Sequence, residues 1–144
     1  MSLIEKYLTE RGYKLIPPAP GTAIDKMEPG TFAFRFNVKV KNSQVGEKTI
    51  NIPVDVVIQP KAAQRPHLPV LVEAKSAGDF TNVNKRRKEE ATKINQLKAT
   101  YGEHVVFVLF LCGYFDAAYL GYEAAEGIDW IWEHRMDDLA QLGL

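Results

Sequence analysis

A single cysteine, Cys112, stands among the 144 residues, so no internal disulfide is possible and the fold must rest on its core. One cysteine also suits a reducing compartment and predicts a cytoplasmic protein. Long apolar runs are missing too. The longest, residues 105–112, falls far short of the roughly 18 residues that span a bilayer, so no membrane partner is expected. Met1-Ser2-Leu3 enters an amphipathic segment without a hydrophobic signal region, so nothing in the sequence marks the chain for export. Repeats and low-complexity tracts are absent. The three histidines, His67, His104 and His134, lie far apart and follow no zinc spacing. The glycines match no phosphate-loop or dinucleotide pattern.

Net charge is also missing, with 18 Lys+Arg against 18 Asp+Glu, but the distribution is uneven. Residues 1–101 carry 17 basic and 10 acidic side chains, a net of +7. Residues 102–144 carry Arg135 against eight acids, a net of −7. Such asymmetry is compatible with a basic body that meets an anionic partner. The acidic tail is unsuited to nucleic acid and is expected to pack on the core, on a partner subunit or on a further domain.

The chain is long enough for one domain with a real core. Ser2 can cap a helix over residues 3–11 whose stripe is Leu3, Ile4, Tyr7 and Leu8, with Gly12 ending it. Four prolines between residues 13 and 30 predict a loop. From Thr31 the apolar period becomes two: Phe32, Phe34, Phe36, Val38 and Val40 alternate with polar or small residues. Residues 48–58 repeat the pattern, with Ile50, Ile52, Val54, Val56 and Ile58 expected on one face and Asp55 on the other. A glycine-containing turn of about five to six residues predicts that the two strands form an antiparallel hairpin. Residues 70–75 make a third strand, residues 83–101 a long helix, and residues 105–111 a strand covered on both faces. Trp130, Ile131 and Trp132 read as packing residues, and residues 136–142 as a closing helix. The expected architecture is α/β: a mixed four- to five-stranded sheet flanked by helices in the order αβββαβ.

Three charged residues contradict their neighbours. Asp55 interrupts an apolar strand, and Glu73 and Lys75 interrupt Val70-Leu71-Val72-Glu73-Ala74-Lys75. Such groups are costly to bury unless paired or bound to metal. Glu73 and Lys75 share a face, with Cα atoms about 6.5–7 Å apart. Asp55 lies beside Glu73 if the second and third strands are neighbours. Two close carboxylates repel unless a cation intervenes. Mg²⁺ accepts one or two carboxylates and completes its shell with water, and Mn²⁺ is a plausible substitute. Two acids, a metal and a lysine are the parts needed to hydrolyse a phosphodiester. The competing readings are a structural ion pair of Lys75 with Asp55 or Glu73, or simply the solvent-facing side of an edge strand.

Asp55, then Val72-Glu73-Ala74-Lys75, in this order of elements, resembles the PD-(D/E)xK nuclease superfamily, in particular type II restriction endonucleases. The resemblance spans residues 1–111, with Val54 where a proline is expected before the aspartate and Pro53 one place earlier. It implies a restriction-endonuclease-like core over residues 1–111 and an acidic extension over 112–144 within one nuclease domain. That domain is either the whole enzyme or the catalytic part of a longer one. It implies that Asp55 and Glu73 bind metal, that Ala74 adds its carbonyl, and that Lys75 is catalytic. Glu5 or Glu10 could supply an accessory acid from the first helix. Gln96 is a further accessory candidate, although its spacing to Tyr101 is one residue too long for the related helix motif.

Ser76, Asn82 and Asn84 suit contacts to DNA, and Lys85, Arg86 and Arg87 place cations where a phosphate would offset their conflict with the helix dipole. The alternative there is a solvated basic run partly neutralised by Glu89 and Glu90. The expected activity is a Mg²⁺-dependent DNA endonuclease, homodimeric if it cuts both strands. A structure-specific repair or junction nuclease and a non-catalytic DNA-binding module are the alternatives.

Overall fold

The two alternating segments form a long antiparallel hairpin, and the rest of the sheet is laid down in chain order beside it. The computed structural model describes residues 2–17, 24–41, 49–62, 68–76, 83–112, 120, 124–125 and 128–144. Helix α1 is Ser2–Glu10, and strands β1 to β3 are Lys14–Leu15, Thr31–Lys41 and Thr49–Gln59. Strand β4 is Val70–Ser76, helix α2 is Val83–Tyr101, β5 is Val106–Cys112 and β6 is Asp129–Trp132. Short 3₁₀ segments cover Ile24–Lys26 and Glu133–Leu142.

The six strands run in the order β1-β2-β3-β4-β5-β6. The β2–β3 and β3–β4 pairs are antiparallel, and β1–β2, β4–β5 and β5–β6 are parallel. The α/β class and mixed sheet agree with the expectation, but the strand count is higher. Strand β1 is a two-residue parallel addition within the predicted loop, and β6 adds an edge beyond β5. Both are too short to leave a periodic signal. The closing segment is 3₁₀ rather than α-helical and includes a break in helical geometry at Arg135.

The sheet is covered on both sides. Against one face, Ile94 and Leu97 of α2 pack on Leu71, Phe107, Leu109 and Leu111. Against the other, Ile4, Tyr7 and Leu8 of α1 and Leu139 of the closing segment pack on Val72, Val108 and Phe110. Alternate residues of β5 therefore enter opposite clusters, which explains its uninterrupted apolar sequence. The acidic C-terminal segment takes part in the same core through Ile128, Ile131 and Leu139. Among the described residues, no helix is long and apolar enough to cross a membrane.

The hairpin differs from simple alternation at one level. Phe32, Val56 and Ile58 join the α1-side cluster, whereas Phe36, Val38, Val40, Ile52 and Val54 join the α2-side cluster. The expected single apolar face is thus two faces that exchange between Phe34↔Val56 and Phe36↔Val54. Arg35 and Asp55 occupy the level of exchange. Arg35 is exposed and takes the left-handed region, with φ +53°. Because both strands reverse together, the register is unchanged on either side. This reversal lets an apolar strand carry Asp55 only half-buried, with the core intact above and below.

Helix α2 is tied to the hairpin as well as packed on it. The Thr100 hydroxyl accepts the Lys41 backbone N–H at 2.9 Å, and the Tyr101 hydroxyl donates to the Lys39 carbonyl at 2.5 Å. These contacts fix where the polar side of α2 meets the sheet.

The left-handed backbone at Arg35 reverses the usual strand preference. An Arg35→Gly chain is expected to be more stable than Arg35→Val by about 1–2 kcal/mol, because a β-branched residue is strained there. Urea unfolding of the two variants tests this; a more stable valine variant would contradict it.

Candidate active site

The site forms where β3 and β4 part. Their ladder pairs Ile58↔Val70, Val57↔Leu71 and Val56↔Val72, and the next level would set Asp55 opposite Glu73. There a side chain replaces the ladder: the Ala74 backbone N–H donates to Asp55 Oδ2 at 2.8 Å. A hydrogen bond to a carboxylate is stronger than one to a neutral carbonyl, so it anchors β4 where strand pairing stops. Asp55 and Glu73 come close enough for the charge of Asp55 to act on Glu73.

Glu73 is only 6% exposed. Burial pushes its carboxyl above the ordinary range and Asp55 adds to the rise, whereas the Lys93 hydrogen bond and the charges of Lys93 and Lys75 oppose it. Lys93 approaches from α2, its Nζ 2.6 Å from Glu73 Oε1 and 3.2 Å from the Pro53 carbonyl. An ammonium therefore already sits on the acid that the sequence assigns to a metal. Lys93 also lines an open groove of about 400 Å³ with Lys88, Glu89 and Thr92, which gives solvent an approach along α2.

Lys75 pairs elsewhere. Its Nζ lies 3.2 Å from Glu90 Oε1, and Glu90 is 1% exposed. The predicted alternative of a Lys75 ion pair with Asp55 or Glu73 is thus replaced by two crossed pairs, Lys75–Glu90 and Lys93–Glu73. Both helix residues escaped the sequence reading, which set Glu90 among the neutralising charges of a solvated run. A signal was present. Glu90, Ile94 and Leu97 stand at i, i+4 and i+7, so Glu90 occupies an apolar-stripe position beneath the sheet.

Asp55, Glu73, Ala74 and Lys75 lie together where β3 and β4 part. Glu5 and Glu10 are exposed on α1, which packs against the other face of the sheet. Gln96 is half-buried one turn beyond Lys93. Asn82 lies outside the described residues, and so do the side chains of Ser76, Asn84, Lys85, Arg86 and Arg87; the backbone of residues 84–87 forms the start of α2. His104 and His134 are exposed, and His67 lies outside the described residues. Burial and the neighbouring Glu133 raise the Cys112 thiol, which opposes a nucleophilic thiolate.

The donor set fits a hard divalent cation. Asp55 and Glu73 offer carboxylate oxygens, and the Ala74 peptide, bonded to Asp55, follows Glu73 along β4. Among the described residues, no three His, Cys, Asp or Glu side chains form a cluster able to hold an ion. Two carboxylates, with the remaining shell left to carbonyl and water, suit a hard divalent ion. With all five side chains ionised, Asp55, Glu73, Glu90, Lys75 and Lys93 sum to one negative charge, which leaves the cluster able to accept a cation.

Sequence comparison decides the family. Residues 1–132 match the XamI restriction endonuclease family. The chain belongs to that family. It is 55% identical over 143 residues to "Type II restriction enzyme SalI" of Streptomyces albus G, covering 99% of this chain and 44% of the relative. The chain therefore spans less than half the length of the curated relative it matches. A solved structure, protein VC1899 from Vibrio cholerae, aligns over 99% of this chain and 30% of its own, with 15% identity and a TM-score of 0.47. Within this XamI-family chain, the acid–acid–lysine set stands at the parting strands and α2 adds a second acid–lysine pair.

Removing one partner of a buried pair leaves the other charge without compensation. Lys93→Met is expected to destabilise the chain by about 3 kcal/mol, the low end for a buried pair because Lys93 is partly exposed. Adding Glu73→Gln should recover most of that loss. Urea unfolding of both variants checks the coupling; additive losses would contradict it.

Proposed function

We propose that this chain is the catalytic part of a restriction-type DNA endonuclease that hydrolyses phosphodiester bonds with Mg²⁺. The observation that carries the reading is the convergence of Asp55 and Glu73, linked through the Asp55–Ala74 bond, with Lys75 on the same strand face as Glu73. Family membership and 55% identity to a type II restriction enzyme support it.

In this reading Asp55, Glu73 and the Ala74 carbonyl would hold the metal, with Mn²⁺ as a substitute. A bound Mg²⁺ supplies charge stabilisation at the phosphoryl oxygens and eases deprotonation of water. Lys93 is the cation on Glu73 in the metal-free chain and would have to yield that carboxylate to a bound ion. Lys75 orients the attacking water and offsets charge that develops on the phosphate. The water oxygen bonds to phosphorus as one ester P–O bond breaks, the water gives up a proton, and the departing oxygen gains one. Lys85, Arg86 and Arg87, with Ser76, Asn82 and Asn84 before them, suit contacts to the DNA backbone and its edges. Cutting both strands calls for two such sites, so a homodimer is the expected assembly. A cytoplasmic location fits the substrate and the lone cysteine.

Supercoiled plasmid tests the proposal. With Mg²⁺ the chain is expected to give nicked or linear products, chelation to stop the reaction, and Lys75→Ala to slow it at least about 100-fold. Equal cleavage by both chains, or none by either at high protein, would contradict it. Cleavage confined to branched DNA would point instead to a structure-specific nuclease.

A further inference from the structure

We propose that Glu90 is a positioning residue that holds the Lys75 ammonium for the reaction. The inference rests on the nuclease reading of Lys75, and extends it to a residue on another element. Glu90 is 1% exposed and stands on the buried stripe of α2 with Ile94 and Leu97. A glutamate is rarely so deep unless it is paired. An apolar side chain would continue the stripe, and exchanging a buried ion pair for apolar packing is often neutral or stabilising. The apolar stripe by itself does not call for a carboxylate at this position, so its partners explain it.

Among the partners of Glu90 is Lys75, at 3.2 Å from Nζ to Oε1. The Lys75 side chain is 17% exposed and sits two residues from Glu73 on the same strand face. A free lysine has a long flexible stem and would spread over many rotamers or fold onto the neighbouring acid. The crossed pairing prevents this. Lys93, one turn along α2, takes Glu73, and Glu90 takes Lys75. Each lysine has its own acid, so Glu73 can receive a metal while Lys75 stays in place. The ties of α2 to Lys39, Lys41 and Pro53 set the helix against the sheet and hence the position of Glu90.

The test compares the chain with Glu90→Gln, Glu90→Asp and Lys75→Ala, using plasmid cleavage, Mn²⁺ binding by electron paramagnetic resonance, and NMR of the Lys75 ammonium. Glu90→Gln should lower kcat at least about tenfold, with KM for DNA and the Mn²⁺ Kd changed less than about twofold. Glu90→Asp should regain part of kcat. In the unmodified chain the Lys75 Hζ–Nζ signal should be visible through slowed exchange, and Glu90→Gln should abolish it. If Glu90→Gln does not fold, Glu90→Asp, which keeps the charge but shortens its reach, is read in its place, with a smaller loss of kcat and a weakened Lys75 signal expected. An unchanged kcat, or a Lys75 signal that survives the substitution, would overturn the inference. A large loss of Mn²⁺ binding would also overturn it, assigning Glu90 to the metal. If the unmodified chain cleaves nothing, the nuclease reading fails, and the NMR comparison still decides whether Glu90 orders Lys75.

Discussion

One hydrogen bond, from the Ala74 N–H to Asp55 Oδ2, sets the geometry on which the site depends. Strands β3 and β4 share only three paired levels before they part. At the next level a carboxylate stands in for a backbone acceptor. It fixes the height of Ala74 on β4, and with it the residues on either side, Glu73 and Lys75. The bond is possible because Asp55 lies where the hairpin exchanges its faces. Without that exchange, Asp55 would either interrupt a continuous apolar face or point away from β4. The left-handed backbone at Arg35, directly across the hairpin, belongs to the same local reversal.

The second constraint is electrostatic. Glu73 is buried beside another acid, and neither repulsion nor desolvation favours its charge. Helix α2 answers with Lys93 against Glu73, and it contributes Glu90 against Lys75. The helix thus brings one charge of each sign to a strand that already carries one of each. Each acid and each lysine of these two pairs thereby meets a partner of opposite charge on the other element. It also leaves Glu73 facing a cation that is the end of a flexible side chain.

The hairpin, β4, α2 and β5 were legible because apolar spacing of two or about 3.6 is a direct imprint of one- or two-sided burial. Asp55, Glu73 and Lys75 were legible as charges inside such strands. The exchange of faces was not, since Phe32 to Val40 alternate in sequence without any sign that the backbone turns over at Arg35. Strands β1 and β6 were missed because two and four residues hold too little period. Lys93 left no sequence signal, because a lysine on a helix is ordinarily solvated. Glu90 did leave one, three residues before Lys93 on the buried stripe. It was hidden by its position beside Lys85, Arg86, Arg87 and Lys88, where a neutralising role is the simpler reading.

The central claim is that parting strands and crossed ion pairs make one cation site. A crystal structure of the chain grown with saturating Mg²⁺ tests it most directly. The account predicts one ion at about 2.1 Å from oxygens of Asp55, Glu73 and the Ala74 carbonyl. It also predicts that Lys93 leaves Glu73 while Lys75 keeps Glu90. An intact Lys93–Glu73 pair with no ion between the two acids would contradict it.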